Sequence, residues 1–247
     1  MKHNLLILKL ALVFSFAVSC TSAPIKPVNN KIIIYNPKVL PIITQENSFR
    51  NNINITEEVE IENPTFSSYA DFVNHYTYPK TYKVYQEDEL IELAKNKNPR
   101  IEINTATQRL LLLVDDKVAL DTPATTGSEA KRDINDGIVS NKATPLGSYK
   151  IIQKLEHKRS NIYGDFYFNG KKIYTGDIRK FKEPYDEFVG VDMPYWMRFK
   201  DAMGIHFSEA VARIPGSNGC VRLPMEPIEL VFSLVKKGTI VDVVSKF

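Results

Sequence analysis

From Pro99 onward the sequence is a succession of short runs rich in β-branched or aliphatic residues. Runs of this length and composition, bounded by turn residues, predict β-strands. The runs are 101–104, 109–114, 117–122, 148–154 and 239–244. Asp115-Asp116 lies between the second and third runs and predicts a hairpin. Many short strands with few helical stretches predict a mainly β domain, built as a sandwich or an open barrel.

Two stretches have the apolar spacing of short helices. The first is 87–95, and the second is 226–237, which directly follows the second of the chain's two cysteines. Lys236 and Lys237 are suited to the negative end of the second helix dipole, and Gly238 predicts its end. We expect this helix to support the cysteine segment from behind.

Composition places the chain among ordinary globular proteins. Its 247 residues are 43% hydrophobic and 25% charged, which argues against wholesale disorder. The net charge of +3 falls to +1 without Lys2 and Lys9 of the leader, since 30 basic residues then face 29 acidic ones. This balance gives no electrostatic reason to expect nucleic-acid binding. The four histidines are scattered without zinc-ligand spacing, and we predict no metal ion and no cofactor.

The stretch from Gly204 to Pro224 contains the residues best suited to catalysis. If Cys220-Val221-Arg222 is a short strand, Cys220 and Arg222 project to the same side. A thiol needs a base or a positive charge to become a nucleophile. His206 supplies the base, and Arg222 supplies the charge. The N–H groups of Gly219 and Cys220 are candidate oxyanion donors, and Ser217 shapes the turn before them.

The same residues also have a structural interpretation. A single cysteine is more often a buried small hydrophobe than a nucleophile, and a single histidine is more often structural. The combination of His206, Cys220 and Arg222 in one stretch nevertheless favours cysteine catalysis.

His206 followed by Ser217-Asn-Gly-Cys220-Val-Arg-Leu resembles the signature of the L,D-transpeptidase catalytic domain, the YkuD family. The order of 101–104, 108–112, Thr125-Thr126-Gly127 and the run 144–149 is similar as well, so the resemblance covers about Pro99 to Val244. The sequence departs from the family pattern twice. Asn218 stands where a histidine is usual, and Phe207 stands where glycine or another small residue is usual.

The resemblance implies a YkuD-like fold and an enzyme acting on the stem peptides of bacterial peptidoglycan. Cys220 would form a thioester, His206 would act as general base and acid, and an amine of the cell wall or of a protein would accept the acyl group. An alternative is hydrolysis of the same thioester by an L,D-carboxypeptidase or endopeptidase. A second alternative is a non-catalytic peptidoglycan-binding lipoprotein.

Residues 155–199 form a polar and aromatic insertion, and long segments of this kind are often lids or binding loops. The segment 193–199 is similar to a subgroup of the same family. We expect Tyr195 to donate to the oxyanion and Trp196 to line the substrate groove. We expect Arg198, Arg159 or Lys158 to hold substrate carboxylates. Each of these residues, taken alone, is more often a surface or packing residue. They are the predicted substrate-binding residues of the insertion.

Residues 1–19 have the pattern of a secretory leader. The apolar run 10–19 is too short to span a bilayer comfortably. Ala17-Val18-Ser19-Cys20 resembles a bacterial lipobox, which predicts a lipid on Cys20, with simple secretion as the alternative. Thr21 is not an aspartate-type retention signal, so we expect an exported, periplasmic lipoprotein of the outer membrane that meets the membrane through its lipid alone. If Cys20 is lipidated, Cys220 is left unpaired in an oxidising compartment.

The chain after the leader is divided into three segments. Residues 20–63 are a tether or an arm that adds strands, and 64–98 are an aromatic-rich extension with a short helix. Residues 99–247 are the predicted catalytic domain.

Overall fold

The computed structural model describes residues 33–34, 67–75, 78, 81–128, 131–132 and 139–246. The predicted leader, Cys20 and nearly all of the predicted tether or arm lie outside the described residues. No helix in the described ranges is long and apolar enough to cross a membrane.

Sixteen strands and three short helices make up this part of the chain. The strands are β1 (Ile33–Ile34), β2 (Lys83–Gln86), β3 (Arg100–Asn104), β4 (Arg109–Val114), β5 (Lys117–Pro123), β6 (Lys131–Arg132), β7 (Val139–Ser140), β8 (Gly147–Lys150), β9 (Gln153–Leu155), β10 (Arg159–Phe168), β11 (Lys171–Asp177), β12 (Glu187–Asp192), β13 (Trp196–Lys200), β14 (Met203–Phe207), β15 (Val221–Leu223) and β16 (Ile240–Val244). The helices are α1 (Tyr69–His75), α2 (Asp88–Ala94) and α3 (Met225–Leu234).

Two large open sheets share one apolar core. The first has the order β1-β2-β5-β4-β3-β16-β8, and the second has the order β15-β14-β13-β9. Side chains from both sheets, including Ile103, Leu112, Met197 and Ile205, pack in one buried cluster with α2 and α3. The prediction of a mainly β, sandwich-like domain with a few short helices is confirmed.

One predicted strand, 148–154, is two strands in different sheets. β8 pairs with β16 in the first sheet, and β9 pairs with β13 in the second. The break is at Ile151 and Ile152, where the N–H of Ile151 donates to Thr239 O and the N–H of Ile152 donates to Arg198 O. The chain therefore crosses between the sheets at this point. A single apolar run does not reveal such a crossing.

The prediction for the end of the last helix is wrong. α3 ends at Leu234, and Val235 is already extended, so Lys236 and Lys237 lie beyond the last turn. The positive charge at this helix end comes from Lys154 on β9. Its Nζ donates to the carbonyls of Phe232 and Val235, both at 2.6 Å, and lies 4.2 Å from the centre of the Phe232 ring. A cation here stabilises the helix dipole.

A buried ion pair joins the N-terminal extension to the sheet. Arg109 and Asp121 have fully buried side chains, and Arg109 Nε donates to Asp121 Oδ1 at 2.6 Å. Arg109 also donates to Thr81 O and Lys83 O, and the Tyr69 hydroxyl donates to Asp121 Oδ2. Thus the described residues between 67 and 86 pack into the folded unit that contains the predicted catalytic domain. β1, at residues 33–34, pairs with β2.

The insertion is a three-stranded antiparallel sheet of the order β11-β10-β12. Phe166 is the buried centre of its own aromatic cluster, with ring contacts to Tyr174, Phe181, Tyr185 and Phe188. The sheet is therefore packed internally and differs from an unstructured loop. The last residues of the predicted insertion are not part of it, because Trp196–Lys200 is β13 of the core.

Candidate active site

Two neighbouring parallel strands bring the predicted catalytic residues together. β14 pairs with β15 in parallel, and His206 is opposite Arg222. Cys220 lies immediately before β15, two residues from Arg222. Because side chains alternate along extended chain, His206, Arg222 and Cys220 are expected on the same side of the sheet. All three line one cavity.

This cavity has a volume of about 1020 Å³ and lies between the second sheet and the inserted three-stranded sheet. Its charged lining residues are the basic Lys142, Lys158, Arg179, Lys180, Arg198 and Arg222 and the acidic Asp177, Asp192 and Asp201. Two of the carboxylates already pair with arginines, Asp177 with Arg179 and Asp192 with Arg159. The excess of positive charge favours an anionic ligand.

The His206 ring is held in one tautomer. Its Nδ1 lies 2.7 Å from Phe207 O, and because a carbonyl oxygen only accepts, Nδ1 carries the proton. Nε2 is therefore the nitrogen that can accept a proton. The pKa of His206 is lowered to about 4, chiefly by burial and in smaller part by the positive Arg222, while the hydrogen bond to Phe207 O acts in the opposite direction. His206 is thus a neutral base at pH 7.

Cys220 is partly buried, and burial raises the pKa of its thiol above the ordinary value. The Gly204 N–H, Arg222 and Lys158 act in the opposite direction but do not outweigh burial. The resting pair is therefore a neutral thiol with a neutral imidazole. A nucleophilic role for Cys220 would require a thiolate to form during attack, with His206 as the proton acceptor.

The turn before the cysteine corrects one expectation. The Gly219 N–H donates to Ser217 Oγ at 3.1 Å, and Ser217 Oγ donates to Cys220 O. Ser217 therefore does shape the turn, but it also occupies the Gly219 N–H that was expected to face an oxyanion. Gly219 has a φ of 108°, a conformation that favours glycine.

Two of the predicted substrate-binding residues line the cavity. Trp196 is buried on β13, its indole N–H donates to Gln153 Oε1 at 3.2 Å, and its ring centre is 6.0 Å from that of His206. Arg198 is on the same strand, and its buried Nε has no hydrogen-bond partner among the described residues. Lys158, named with them, also lines the cavity.

The other two predicted substrate-binding residues lie elsewhere. Tyr195 has a φ of 57°, and its hydroxyl donates to Glu229 on α3 at 2.7 Å, so it does not face an oxyanion at Cys220. Arg159 pairs with Asp192 across the first residues of the inserted sheet, with Nε 3.1 Å from Oδ1. Neither residue lines the cavity.

Several cavity residues were not predicted, because they belong to the inserted sheet or to distant loops. Lys142, Tyr174 and Arg179 line the cavity, and no sequence motif marks them. In the described ranges, no group of three or more His, Cys, Asp or Glu residues could hold a metal ion.

Comparison with known proteins identifies one family. The model of the YkuD family, described as the L,D-transpeptidase catalytic domain, matches residues 98–243, more than half of the chain. Among curated proteins no relative matches.

Solved structures similar to this chain include the L,D-transpeptidase from Stackebrandtia nassauensis, with 20% identity over 61% of this chain and 57% of that one, and a TM-score of 0.42. The L,D-transpeptidase from Xylanimonas cellulosilytica has 20% identity over 60% of each chain and a TM-score of 0.43. The catalytic domain of the E. faecium L,D-transpeptidase has 23% identity over 60% of this chain and 97% of that one, and a TM-score of 0.39. The chain spans about three fifths of the length of the first two.

The protonated thiol of Cys220 and the neutral imidazole of His206 predict how the alkylation rate of Cys220 depends on pH. Alkylation by iodoacetamide should accelerate about tenfold per pH unit between pH 6 and 8, because the thiolate fraction rises at that rate below the thiol pKa. Mass spectrometry of the Cys220 peptide measures the rate and separates it from any reaction at Cys20. A fast plateau across pH 5 to 7 would instead indicate a preformed thiolate–imidazolium pair.

Proposed function

Because the chain belongs to the YkuD family of L,D-transpeptidase catalytic domains, we propose that it is a cysteine-dependent peptidoglycan L,D-transpeptidase. In this proposal Cys220 takes an acyl group from a stem peptide as a thioester and transfers it to an amine. The observation that carries the proposal is the pairing of β14 with β15, which joins His206, Arg222 and Cys220 in one cavity.

The acylation step follows from the protonation states of the two side chains. As Cys220 Sγ attacks the donor carbonyl, its proton passes to His206 Nε2 and the carbonyl oxygen becomes an oxyanion. When the C–N bond breaks, His206 returns that proton to the departing amino group of the terminal D-alanine. The products are a thioester on Cys220 and a free amino acid.

The transfer step uses the same histidine. An acceptor amine attacks the thioester carbon, and His206 Nε2 takes a proton from its nitrogen. The C–S bond then breaks, and the thiolate recovers a proton from His206. The acceptor is a second stem peptide or an amine on a protein. The L,D specificity in this proposal comes from family membership alone.

The charge of the cavity fits the proposed donor. Stem peptides carry carboxylates, and the cavity has more basic than acidic lining residues. Arg198 is the strongest candidate to bind a donor carboxylate, because it lines the cavity and its Nε has no partner within the described part of the chain. Trp196 supports the same wall beside His206.

The proposal predicts a product that depends on the amine. Purified protein incubated with a tetrapeptide stem and an amine acceptor should release the terminal D-alanine and form the cross-linked tripeptide product, measured by liquid chromatography and mass spectrometry. Cys220→Ser should lose more than about 95% of this activity, because a serine hydroxyl is far less acidic than a thiol.

Running the same assay with and without the amine separates transfer from hydrolysis. Free tripeptide as the main product even at high amine concentration would identify an L,D-carboxypeptidase, or an endopeptidase with cross-linked donors. Binding of peptidoglycan with no product in either arm would identify a non-catalytic lipoprotein. Cys220→Ala is the matched control in each arm.

We also propose that the protein is exported and anchored in the outer membrane by a lipid on Cys20. The support is the leader pattern of 1–19 and the lipobox-like sequence before Cys20. Cys20→Ser should shift the protein from the detergent phase to the aqueous phase or leave an uncleaved precursor. Unchanged partitioning would exclude the anchor.

A further inference from the structure

A threonine from a distant loop holds the peptide unit that precedes the cysteine. Thr144 Oγ1 donates to Gly219 O at 3.0 Å and accepts the Gly127 N–H at 2.8 Å. Thr144 is only 3% exposed. Its hydroxyl therefore has one donor and one acceptor bond, both inside the protein, and its orientation is fixed.

Glycine makes this close approach possible. A Cβ on Gly127 would lie 1.9 Å from Lys142 O and 2.8 Å from Gly219 Cα, so no larger residue fits between the loop and the turn. The Gly219 φ of 108° is likewise strained for other residues. The two glycines allow Thr144 to reach the Gly219 carbonyl.

The contact fixes where the next N–H group points. In a trans peptide the C=O and the following N–H point in opposite directions, so the Cys220 N–H points away from Thr144. Thr144 does not line the cavity, whereas Cys220 does. The Cys220 N–H has no hydrogen-bond acceptor among the described residues, while the Gly219 N–H is occupied by Ser217. The Cys220 N–H is therefore the group available to an oxyanion.

We propose that Thr144 is a positioning residue for acyl transfer: its bond to Gly219 O directs the Cys220 N–H at the oxyanion that forms on the acyl carbonyl. The inference rests on one part of the proposed function, namely that Cys220 is the nucleophile that accepts the acyl group. Thr144 touches neither the substrate nor the thiol, and it acts through the peptide plane. Loss of an oxyanion donor slows acyl transfer by about 10²–10³-fold in other enzymes, and a misdirected donor should cost part of that.

Two reactions of the Cys220 sulfur distinguish a positioning role of Thr144 from a general structural role. Acylation by p-nitrophenyl acetate passes through an oxyanion, whereas alkylation by iodoacetamide is a displacement that forms none. Thr144→Val keeps the shape but removes both hydrogen bonds, and Thr144→Ser keeps the hydroxyl. We expect the Val variant to lower the second-order acylation rate by about 10–100-fold and to leave the alkylation rate within about twofold. The Ser variant should stay within about threefold of wild type in both reactions.

The controls make each result decisive. Acylation is measured in the full chain as the p-nitrophenolate burst above that of Cys220→Ala, and circular dichroism verifies folding. Thr144→Ala replaces the Val variant if the latter does not fold. Equal slowing of both reactions, or no slowing of either, would overturn the inference, as would a wild-type burst no larger than that of Cys220→Ala. If the variants behave as expected but stem tetrapeptide is not processed, the positioning role stands and the proposed function fails.

Discussion

The parallel pairing of β14 with β15 is the constraint on which the site depends. Parallel neighbours require the chain to leave the sheet and return to its starting end, so residues between Phe207 and Val221 must cross over. That crossing places the turn at Ser217 to Cys220 at the start of β15, next to the strand β14 that carries His206. A second loop holds this crossing segment in place. The N–H groups of Gly216 and Ser217 donate to Thr126 O, and Thr125 and Arg222 each donate a backbone hydrogen bond to the other. The proposed nucleophile, Cys220, is thus positioned by several backbone contacts that do not involve its own side chain.

Local patterns were sufficient to predict several strands of the first sheet. β3, β4 and β5 were predicted within a residue or two at each end, because aliphatic runs bounded by turns specify strands locally. That His206 and Cys220 line one cavity was also expected, since one short segment contains both residues and a loop that can reverse the chain.

Predictions failed where distant parts of the chain decide the outcome. Lys154 stabilises the end of α3 from a strand about 80 residues earlier, an arrangement that helix patterns near Lys236 do not contain. Tyr195 belongs to a promising aromatic segment, but its hydroxyl is bound to Glu229. In the sequence, Thr144 belongs only to the family-like run 144–149, and its contact with Gly219 depends on tertiary packing. Side-chain direction and long-range hydrogen bonds are properties of the folded molecule.

Burial raises the pKa of the Cys220 thiol and lowers the pKa of His206. Both shifts favour the neutral form of the side chain. It keeps the Cys220 thiol protonated and His206 neutral, so in the proposed mechanism the proton moves from the thiol to His206 during attack. The most direct test is intact-protein mass spectrometry after brief incubation with a tetrapeptide stem lacking an amine acceptor. We predict an added mass equal to the tripeptide acyl group, located on Cys220 by peptide mapping and absent from Cys220→Ala. Turnover of the stem by the Cys220→Ala variant, or an acyl adduct on another residue, would contradict this mechanism.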